Sequence, residues 1–253
     1  MSKNLEVEIC CGSYYDTLQA WKGGAKRVEL NSALHLGGLT PSLGTLCQVK
    51  KNTGLKVICM VRPRGAGFCY NMEEFEVMLE DAHILLENGA DGIAFGCLTA
   101  DRKINEKQTK KMVQLIKSYN KESVFHRAFD CVTDINEAMQ TLIEIGVDRV
   151  LTSGLKSTAI AGAETIQYLQ KEYGEQIEIL AGSGLNAQNV QDFIRKTDVK
   201  QIHSSCKGWL PVVDVVLVKK FIDMATCELA FEIEKEDEKV LKICYDNTAL
   251  PEK

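Results

Sequence analysis

GGAKRVEL, at residues 23–30, is one of three closely similar junctions at which a helix is predicted to end and a strand to begin. The other two are NGADGIAF at 88–95 and IGVDRVLT at 145–152, and a degenerate fourth, TDVKQIHS, occupies 197–204. The first three copies carry a glycine where the helix ends, a position at which glycine adopts a positive φ at least cost. The four copies fall at every second strand-like segment along the chain. Four two-strand units predict a closed barrel more strongly than an open sheet, which needs a point where the strand order reverses.

Strand-like and helix-like segments alternate along the whole chain. The eight strand-like segments are LEVEI, KRVEL, LKVICMVR, DGIAF, SVFHRA, DRVLTS, IEILAG and KQIHSS. Between them lie segments with apolar residues three and four positions apart, such as EEFEVMLEDAHILLENG and INEAMQTLIEIG. This alternation predicts a parallel sheet in an α/β fold, a TIM-like (β/α)8 barrel that forms a single domain over residues 1–253. Residues 208–253 are expected to add a C-terminal extension, a helix in VVDVVLVKKFIDMA followed by a hairpin.

The composition excludes several classes of function. The 253 residues are 45% hydrophobic and carry a net charge of -5 from interspersed acidic and basic residues, without the basic stripe that nucleic-acid binding requires. No apolar run reaches the roughly 18 residues of a membrane span, and no secretory apolar region is visible. The ten cysteines are scattered without a CxxC pair, which indicates reduced thiols. We expect a cytoplasmic protein with no nucleic-acid or membrane partner.

Charged residues cluster at the carboxyl ends of the predicted strands, where β/α barrels place their functional groups. A charged side chain in an apolar strand is costly unless it is paired or faces a polar cavity. An alternative interpretation places Glu8 and Glu29 in a buried ion-pair network with Arg62 or Arg127. The candidates for catalytic proton transfer are Glu8, Glu29, His126 and Asp130.

Two segments are typical of anion binding. RPRGAGFCY places two arginines around a proline, and a pair of guanidinium groups suits a carboxylate or a phosphate, although one of them could form a structural salt bridge instead. AGSGLNAQNV is a glycine turn after the seventh strand, where this fold commonly binds phosphate, although such a turn can also be only a helix cap. The predicted ligand-binding residues are Arg62, Arg64, Arg127, Gly182, Gly184, His203 and Ser205.

Eight motifs run from about residue 5 to residue 207 and so cover most of the chain. They are GGAKRVEL, GGLTPSLG, MVRPRGAGFCY, DGIAFGCLTADRKIN, FHRAFD, GVDRVLTSG, ILAGSGLNAQNV and HSSCK. Taken in order, they resemble those of the CutC family of copper homeostasis proteins.

The resemblance implies a cytoplasmic β/α barrel associated with copper tolerance or trafficking, which binds Cu(I) and forms a homo-oligomer. In animal members of the family, copper is proposed to bind two cysteines at the ends of the first two strands. The first of these falls on Cys10, a candidate metal ligand, and the second falls on Asn31. Because Cu(I) prefers sulfur ligands, other cysteines are considered as replacements for the second: Cys59, Cys69, Cys97 and Cys206.

Two functions follow from these observations, and the sequence does not decide whether the protein is an enzyme. The first is copper homeostasis, with a copper ion as the bound partner. The alternative is a TIM-barrel enzyme of unknown reaction, acting on a small anionic or phosphorylated metabolite at the carboxyl-terminal mouth of the barrel. In the alternative, the two arginines of RPRGAGFCY and the loop after the seventh strand hold the anion.

Overall fold

The computed structural model describes residues 5–227, which form a closed barrel of eight parallel strands surrounded by helices. The strands are β1 (Glu6–Cys11), β2 (Arg27–Leu30), β3 (Lys56–Met60), β4 (Gly92–Phe95), β5 (Glu122–Phe125), β6 (Arg149–Thr152), β7 (Glu178–Ala181) and β8 (Gln201–Ser204). The helices are α1 (Tyr14–Lys22), α2 (Leu43–Asn52), α3 (Met72–Glu87), α4 (Glu106–Ser118), α5 (Ile135–Ile145), α6 (Ala163–Tyr173), α7 (Val190–Thr197) and α8 (Val215–Thr226). The strands pair in sequence order and β8 returns to β1, so the predicted (β/α)8 barrel is confirmed.

Two helices, α8 and α2, differ in how well the sequence indicates them. The helix predicted in VVDVVLVKKFIDMA is α8, whereas the predicted hairpin lies outside the described residues. The segment that forms α2 is not among the helices named from the sequence, and it begins directly after Pro41 and Ser42. Ser42 caps this helix by accepting a hydrogen bond from the Thr45 N–H at 3.2 Å. Within residues 5–227, no helix is long and apolar enough to cross a membrane.

Strand side chains alternate between two apolar layers. Outward-facing residues such as Val28, Phe95 and Phe125 pack beneath the helices in the main core, and the last two lie opposite each other in the register of β4 and β5. Inward-facing residues fill the middle of the lumen, which is therefore a packed core and not a channel. The members of this inner layer are Ile58, Met60, Ala94, Val124, Leu151 and Leu180.

Two buried arginines lie at the amino-terminal side of the lumen, at equivalent positions of the sequence repeat. The Nε of Arg27 is 2.8 Å from a carboxylate oxygen of Glu8, and its Nη2 donates to Gln201 at 2.7 Å. The Nη2 of Arg149 is 2.8 Å from a carboxylate oxygen of Glu178. Both guanidinium groups thus have a carboxylate partner, which avoids an uncompensated charge in the lumen.

The repeated junction ends its helices as the sequence predicts. Gly24, Gly89 and Gly146 have φ angles of +94°, +93° and +87°. In the degenerate fourth copy, Asp198 takes the equivalent position with a φ of +57°. Aspartate tolerates the left-handed region better than most residues, which explains how the fourth copy keeps the backbone geometry without glycine.

Gly146→Ala and Gly44→Ala form a matched pair, because a Cβ atom at either position meets open space. At Gly146 alanine must adopt the left-handed region, so we expect the free energy of unfolding to fall by about 1–2 kcal/mol. Gly44 lies in helix α2, where alanine should raise the free energy of unfolding by about 0.4–1 kcal/mol. Urea unfolding measures both values. Effects of the same sign would contradict the backbone explanation.

Candidate functional site

A cavity of about 630 Å³ opens at the carboxyl ends of the strands. Strand ends and the loops that follow them line it, which is where β/α barrels place functional groups. The structure brings most of the predicted site residues together here. Those that line the cavity are Cys10, Glu29, Arg62, His126, Arg127, Gly184, His203 and Ser205.

Cys10, Glu29 and His203 form a candidate metal centre in this cavity. One ligand atom from each residue lies within 4.8 Å of the other two. The Cys10 Sγ is 3.8 Å from Glu29 Oε2, and the His203 Nε2 is 4.0 Å from the same oxygen. Cys10 lies opposite Glu29 in the register of β1 and β2, and both side chains face the mouth. Cys11 belongs to the outer core, because adjacent strand residues point to opposite faces.

Glu8 sets the orientation of the His203 ring from beneath the cavity. One carboxylate oxygen is 2.9 Å from His203 Nδ1, and the other is 2.8 Å from Arg27 Nε. The strand register explains this contact, since Glu8 lies opposite Arg27 on one side and opposite His203 on the other. A carboxylate on Nδ1 leaves Nε2 directed at Cys10 and Glu29. Histidine ligands of metal ions are commonly held in this way.

Burial and pairing set the charges of the cluster. Burial opposes ionisation of Glu8, but the Arg27 charge and the hydrogen bond with His203 prevail and lower the Glu8 pKa to about 2. Burial also disfavours the cationic form of His203, yet hydrogen bonds with Cys10 and Glu8 hold its pKa well above the usual range. Burial raises the pKa of Glu29 and that of the Cys10 thiol. An ionised Glu8 and a protonated His203 therefore face a neutral thiol at pH 7.

Asn31 stands where the family resemblance implies a second cysteine. Its Nδ2 donates to Glu29 Oε2 at 2.9 Å and to Cys10 Sγ at 3.7 Å. The amide therefore supports two candidate ligands but supplies no soft donor. Among the cysteines considered as replacements, Cys206 lines the cavity, although it is not part of the cluster. The other three do not line it: Cys59, Cys69 and Cys97.

His126 lies at the start of the short 3-10 helix that follows β5. Its Nδ1 accepts a hydrogen bond from the Ala128 N–H at 3.1 Å, so the ring proton is assigned to Nε2. Burial, reinforced by the Arg62 charge, lowers the His126 pKa to about 3. The ring is therefore neutral at pH 7. Gly96 gives it room, since a Cβ there would lie 2.5 Å from ring atoms.

The alternative ion-pair network was wrong in its partners. Glu8 pairs with Arg27, and within the described residues neither Arg62 nor Arg127 forms an ion pair with Glu8 or Glu29. The reason is register: Arg27 lies directly opposite Glu8 on the neighbouring strand. Arg62 and Arg127 come after the ends of β3 and β5, closer to the mouth.

Three other predicted site residues do not line the cavity. Arg64 instead binds the carboxylate of Glu74, with its Nη2 3.0 Å from Oε2, so it serves as the structural salt bridge that one arginine was expected to form. Asp130 accepts hydrogen bonds from the residues at and after the end of β6 and fixes that loop. Gly182 makes room for His203, because a Cβ atom at residue 182 would lie 3.2 Å from His203 Cβ.

Among the cavity residues that were not predicted from the sequence, an aromatic and a cationic side chain bear on ligand binding. Phe68 packs against His126, with ring centroids 5.1 Å apart, and lies 4.8 Å from the Arg62 guanidinium carbon. Lys207 adds a cationic side chain to the lining. Both lie inside motifs that carried the family resemblance. Nothing in the linear sequence indicates that these side chains turn towards the cavity.

Fold and site together define a (β/α)8 barrel protein with a polar ligand cavity at its carboxyl-terminal mouth, where a thiol, a carboxylate and an imidazole converge. The model of the CutC family matches residues 5–208. This chain belongs to the CutC family.

Individual relatives agree with this assignment. A CutC family protein from Treponema denticola is 50% identical over 201 residues, covering 79% of this chain and 81% of the relative. One from Vibrio parahaemolyticus is 36% identical over 205 residues, covering 81% and 83%. The solved CutC structure from Streptococcus agalactiae, for which a role in copper homeostasis has been suggested, is 30% identical, with a TM-score of 0.75 and coverage of 79% and 98%. A phosphoribosyl anthranilate isomerase from Thermococcus kodakaraensis, 19% identical with a TM-score of 0.56 and coverage of 87% and 98%, shares the fold alone.

The two cavity histidines should differ in NMR titrations of the ring nitrogens. We expect the His126 ring to stay neutral between about pH 4.5 and 8. The His203 ring should stay protonated at pH values above those at which a histidine usually loses its proton. The unfolded chain protonates His126 near pH 6.5 whereas the folded state does so near 3, so His126 makes the fold less stable as the pH falls through that interval. The contribution of His203 is complete below pH 6.5 and is lost as the pH rises through its raised pKa.

Signals are assigned from the spectra of His126→Gln and His203→Gln, each of which removes one ring. A His126 ring that titrates near pH 6.5 would contradict the buried neutral form.

Proposed function

We propose that this protein binds Cu(I) at Cys10 and His203 and serves copper homeostasis in the cytoplasm. The observation that carries the proposal is the approach of Cys10, Glu29 and His203 to within 4.8 Å of one another, in a chain of the CutC family. Copper is then the cargo of the protein and not a resident cofactor.

The donor set suits Cu(I) better than it suits a hard cation. The Cys10 thiolate is soft, an imidazole nitrogen is a common copper ligand, and Glu29 would add only a weak third donor. His203 is held through Nδ1 by Glu8, which leaves Nε2 for the metal. Binding would release the thiol proton and the Nε2 proton. In this proposal the His203 nitrogen replaces the second cysteine whose place Asn31 takes.

The cytoplasmic location and a homo-oligomeric state are inferred from the family resemblance. The nine described cysteines are all free, which fits a reducing compartment. Light scattering tests the assembly against the 28.1 kDa mass of one chain.

Anaerobic titration against a competing Cu(I) chelator should show stoichiometric binding. Cys10→Ser should abolish it, because the variant lacks the only soft donor of the cluster. Asn31→Cys should tighten it at least about tenfold, since it supplies a second thiolate beside the first.

Cys206→Ser is the matched control, because this thiol lines the same cavity but stands outside the cluster. Its Cu(I) affinity should equal that of the unaltered protein. Retention of full affinity by Cys10→Ser, or failure of the unaltered protein to compete with the chelator, would refute the proposal.

As a second candidate, we propose an enzyme that acts on a small anionic or phosphorylated metabolite. The specific observation is that Glu29 Oε1, Arg62 Nε and His126 Nε2 are buried without hydrogen-bond partners within residues 5–227, although their residues line the cavity. Buried polar groups are normally satisfied, so such a set favours a polar ligand. Glu29, with its pKa raised by burial, suits general acid or base catalysis.

Incubation with a metabolite extract, followed by mass spectrometry, tests this candidate. We expect an anionic metabolite to be consumed, and Glu29→Gln to slow its consumption by about 10²–10⁴-fold. Glu76→Gln is the control, because Glu76 is an exposed residue of helix α3 and should leave the rate unchanged. If no metabolite is consumed, the enzyme function is excluded.

A further inference from the structure

Arg62 is a buried cation that pairs with no carboxylate among residues 5–227. Its Nη1 donates to the carbonyl oxygens of Leu36 at 3.0 Å and Gly38 at 3.3 Å, which fix the guanidinium, while its buried Nε has no hydrogen-bond partner among the described residues. The guanidinium also interacts with the Tyr70 hydroxyl, which is neutral because burial raises the Tyr70 pKa to about 12 and so does not balance the charge. The other buried arginines of the described chain, Arg27 and Arg149, each have a carboxylate partner. A buried charge without a counter-ion is costly, so the environment of Arg62 calls for an anion.

His126 supplies a second unused donor beside this cation. Its Nδ1 is occupied by the Ala128 N–H, and its buried Nε2 has no partner among the described residues. Phe68 joins the two groups, because its ring packs against the imidazole and also lies under the guanidinium. Arg62, Phe68 and His126 all line the mouth cavity.

We propose that Arg62 and His126 form a subsite for the carboxylate group of a small organic acid that enters the mouth cavity. The carboxylate oxygens accept hydrogen bonds from Arg62 Nε and His126 Nε2, and Phe68 forms an apolar wall beside them. This inference deepens the second proposed function by naming its substrate class and rests on it for any catalysis. Binding itself requires neither turnover nor copper.

Charge favours a carboxylate over a phosphate dianion at this subsite. The His126 ring is neutral because burial lowers its pKa to about 3, so Arg62 is the charged member of this pair of donors. A monoanion balances the charge of the buried pair without drawing on other cations of the cavity lining, such as Lys207. The nearby Arg127 is already engaged, with its Nε 2.8 Å from Asp130 and its Nη2 2.8 Å from Ser153. A planar carboxylate also matches the planar donors of a guanidinium.

Calorimetric titration of the full-length protein with pyruvate and, separately, with inorganic phosphate tests the subsite. We expect pyruvate to bind more tightly than phosphate and to raise the melting temperature. Arg62→Gln and His126→Phe should each weaken pyruvate binding by about ten- to a hundredfold, because each removes a donor to a charged acceptor. Arg64→Gln is the matched control, since this arginine lies outside the cavity and binds Glu74, and pyruvate affinity should be unchanged.

Arg62→Lys separates geometry from charge, because it keeps the cation but lacks the Nε–H of arginine, and it should also lose affinity. If the Arg62 variants fail to fold, His126→Phe decides the question alone. Unchanged pyruvate affinity in the folded variants, tighter binding of phosphate than of pyruvate, or no pyruvate binding overturns the subsite. Pyruvate binding should survive Cys10→Ser, which separates this outcome from the copper proposal. Carboxylate binding without consumption of any metabolite would support the subsite and remove the enzyme function.

Discussion

The contact on which the rest of this site depends is the double engagement of Glu8. Its two carboxylate oxygens meet Arg27 on β2 and His203 on β8, so one side chain links the strands on both sides of β1. The pairing compensates three charges that would be costly in a closed lumen. The same contact fixes the orientation of the His203 ring. As a result, the ring's other nitrogen, Nε2, points towards Cys10 and Glu29 at the mouth.

The lumen is divided by height into layers with different tasks. At the amino-terminal side, the charges of Arg27 and Arg149 are paired with carboxylates, although Arg149 Nη1 has no hydrogen-bond partner among the described residues. The middle is filled by an apolar layer that includes Val124 and Leu151. At the mouth, several lining residues leave buried polar atoms without hydrogen-bond partners among the described residues, such as Glu29 Oε1 and His126 Nε2. Charge pairing and apolar packing therefore stabilise the lower and middle levels, while the mouth presents unpartnered polar groups where a ligand has access.

The cavity has two chemically different sides. Cys10 and His203, from β1 and β8, present a thiol and an imidazole, a pair suited to a soft metal ion. Arg62 and His126, which follow β3 and β5, present hydrogen-bond donors beside an aromatic ring. A role in copper homeostasis does not by itself explain why hydrogen-bond donors are exposed on this second side of the cavity. Its chemistry suits an oxygen anion, so the mouth can be studied as a metal site and as an organic-ligand site with variants that do not overlap.

The sequence by itself determined the barrel and most of the polar residues at its mouth. Both depend on local periodicity: the junction repeat marks every second strand, and strand alternation places Cys10 inward and Cys11 in the outer core. Most strand-end residues predicted from this periodicity do line one cavity, including Glu29 and His126.

Only the tertiary structure decided which of these residues meet. Glu8 pairs with Arg27 and not with Arg62, because the register between neighbouring strands puts Arg27 opposite it. Arg64 turns to Glu74, outside the cavity, although it stands two residues from Arg62 in the sequence. The lowered pKa of His126 arises from burial by segments distant along the chain. Periodicity is a local property of a sequence, whereas partners and burial depend on register and closure of the whole barrel.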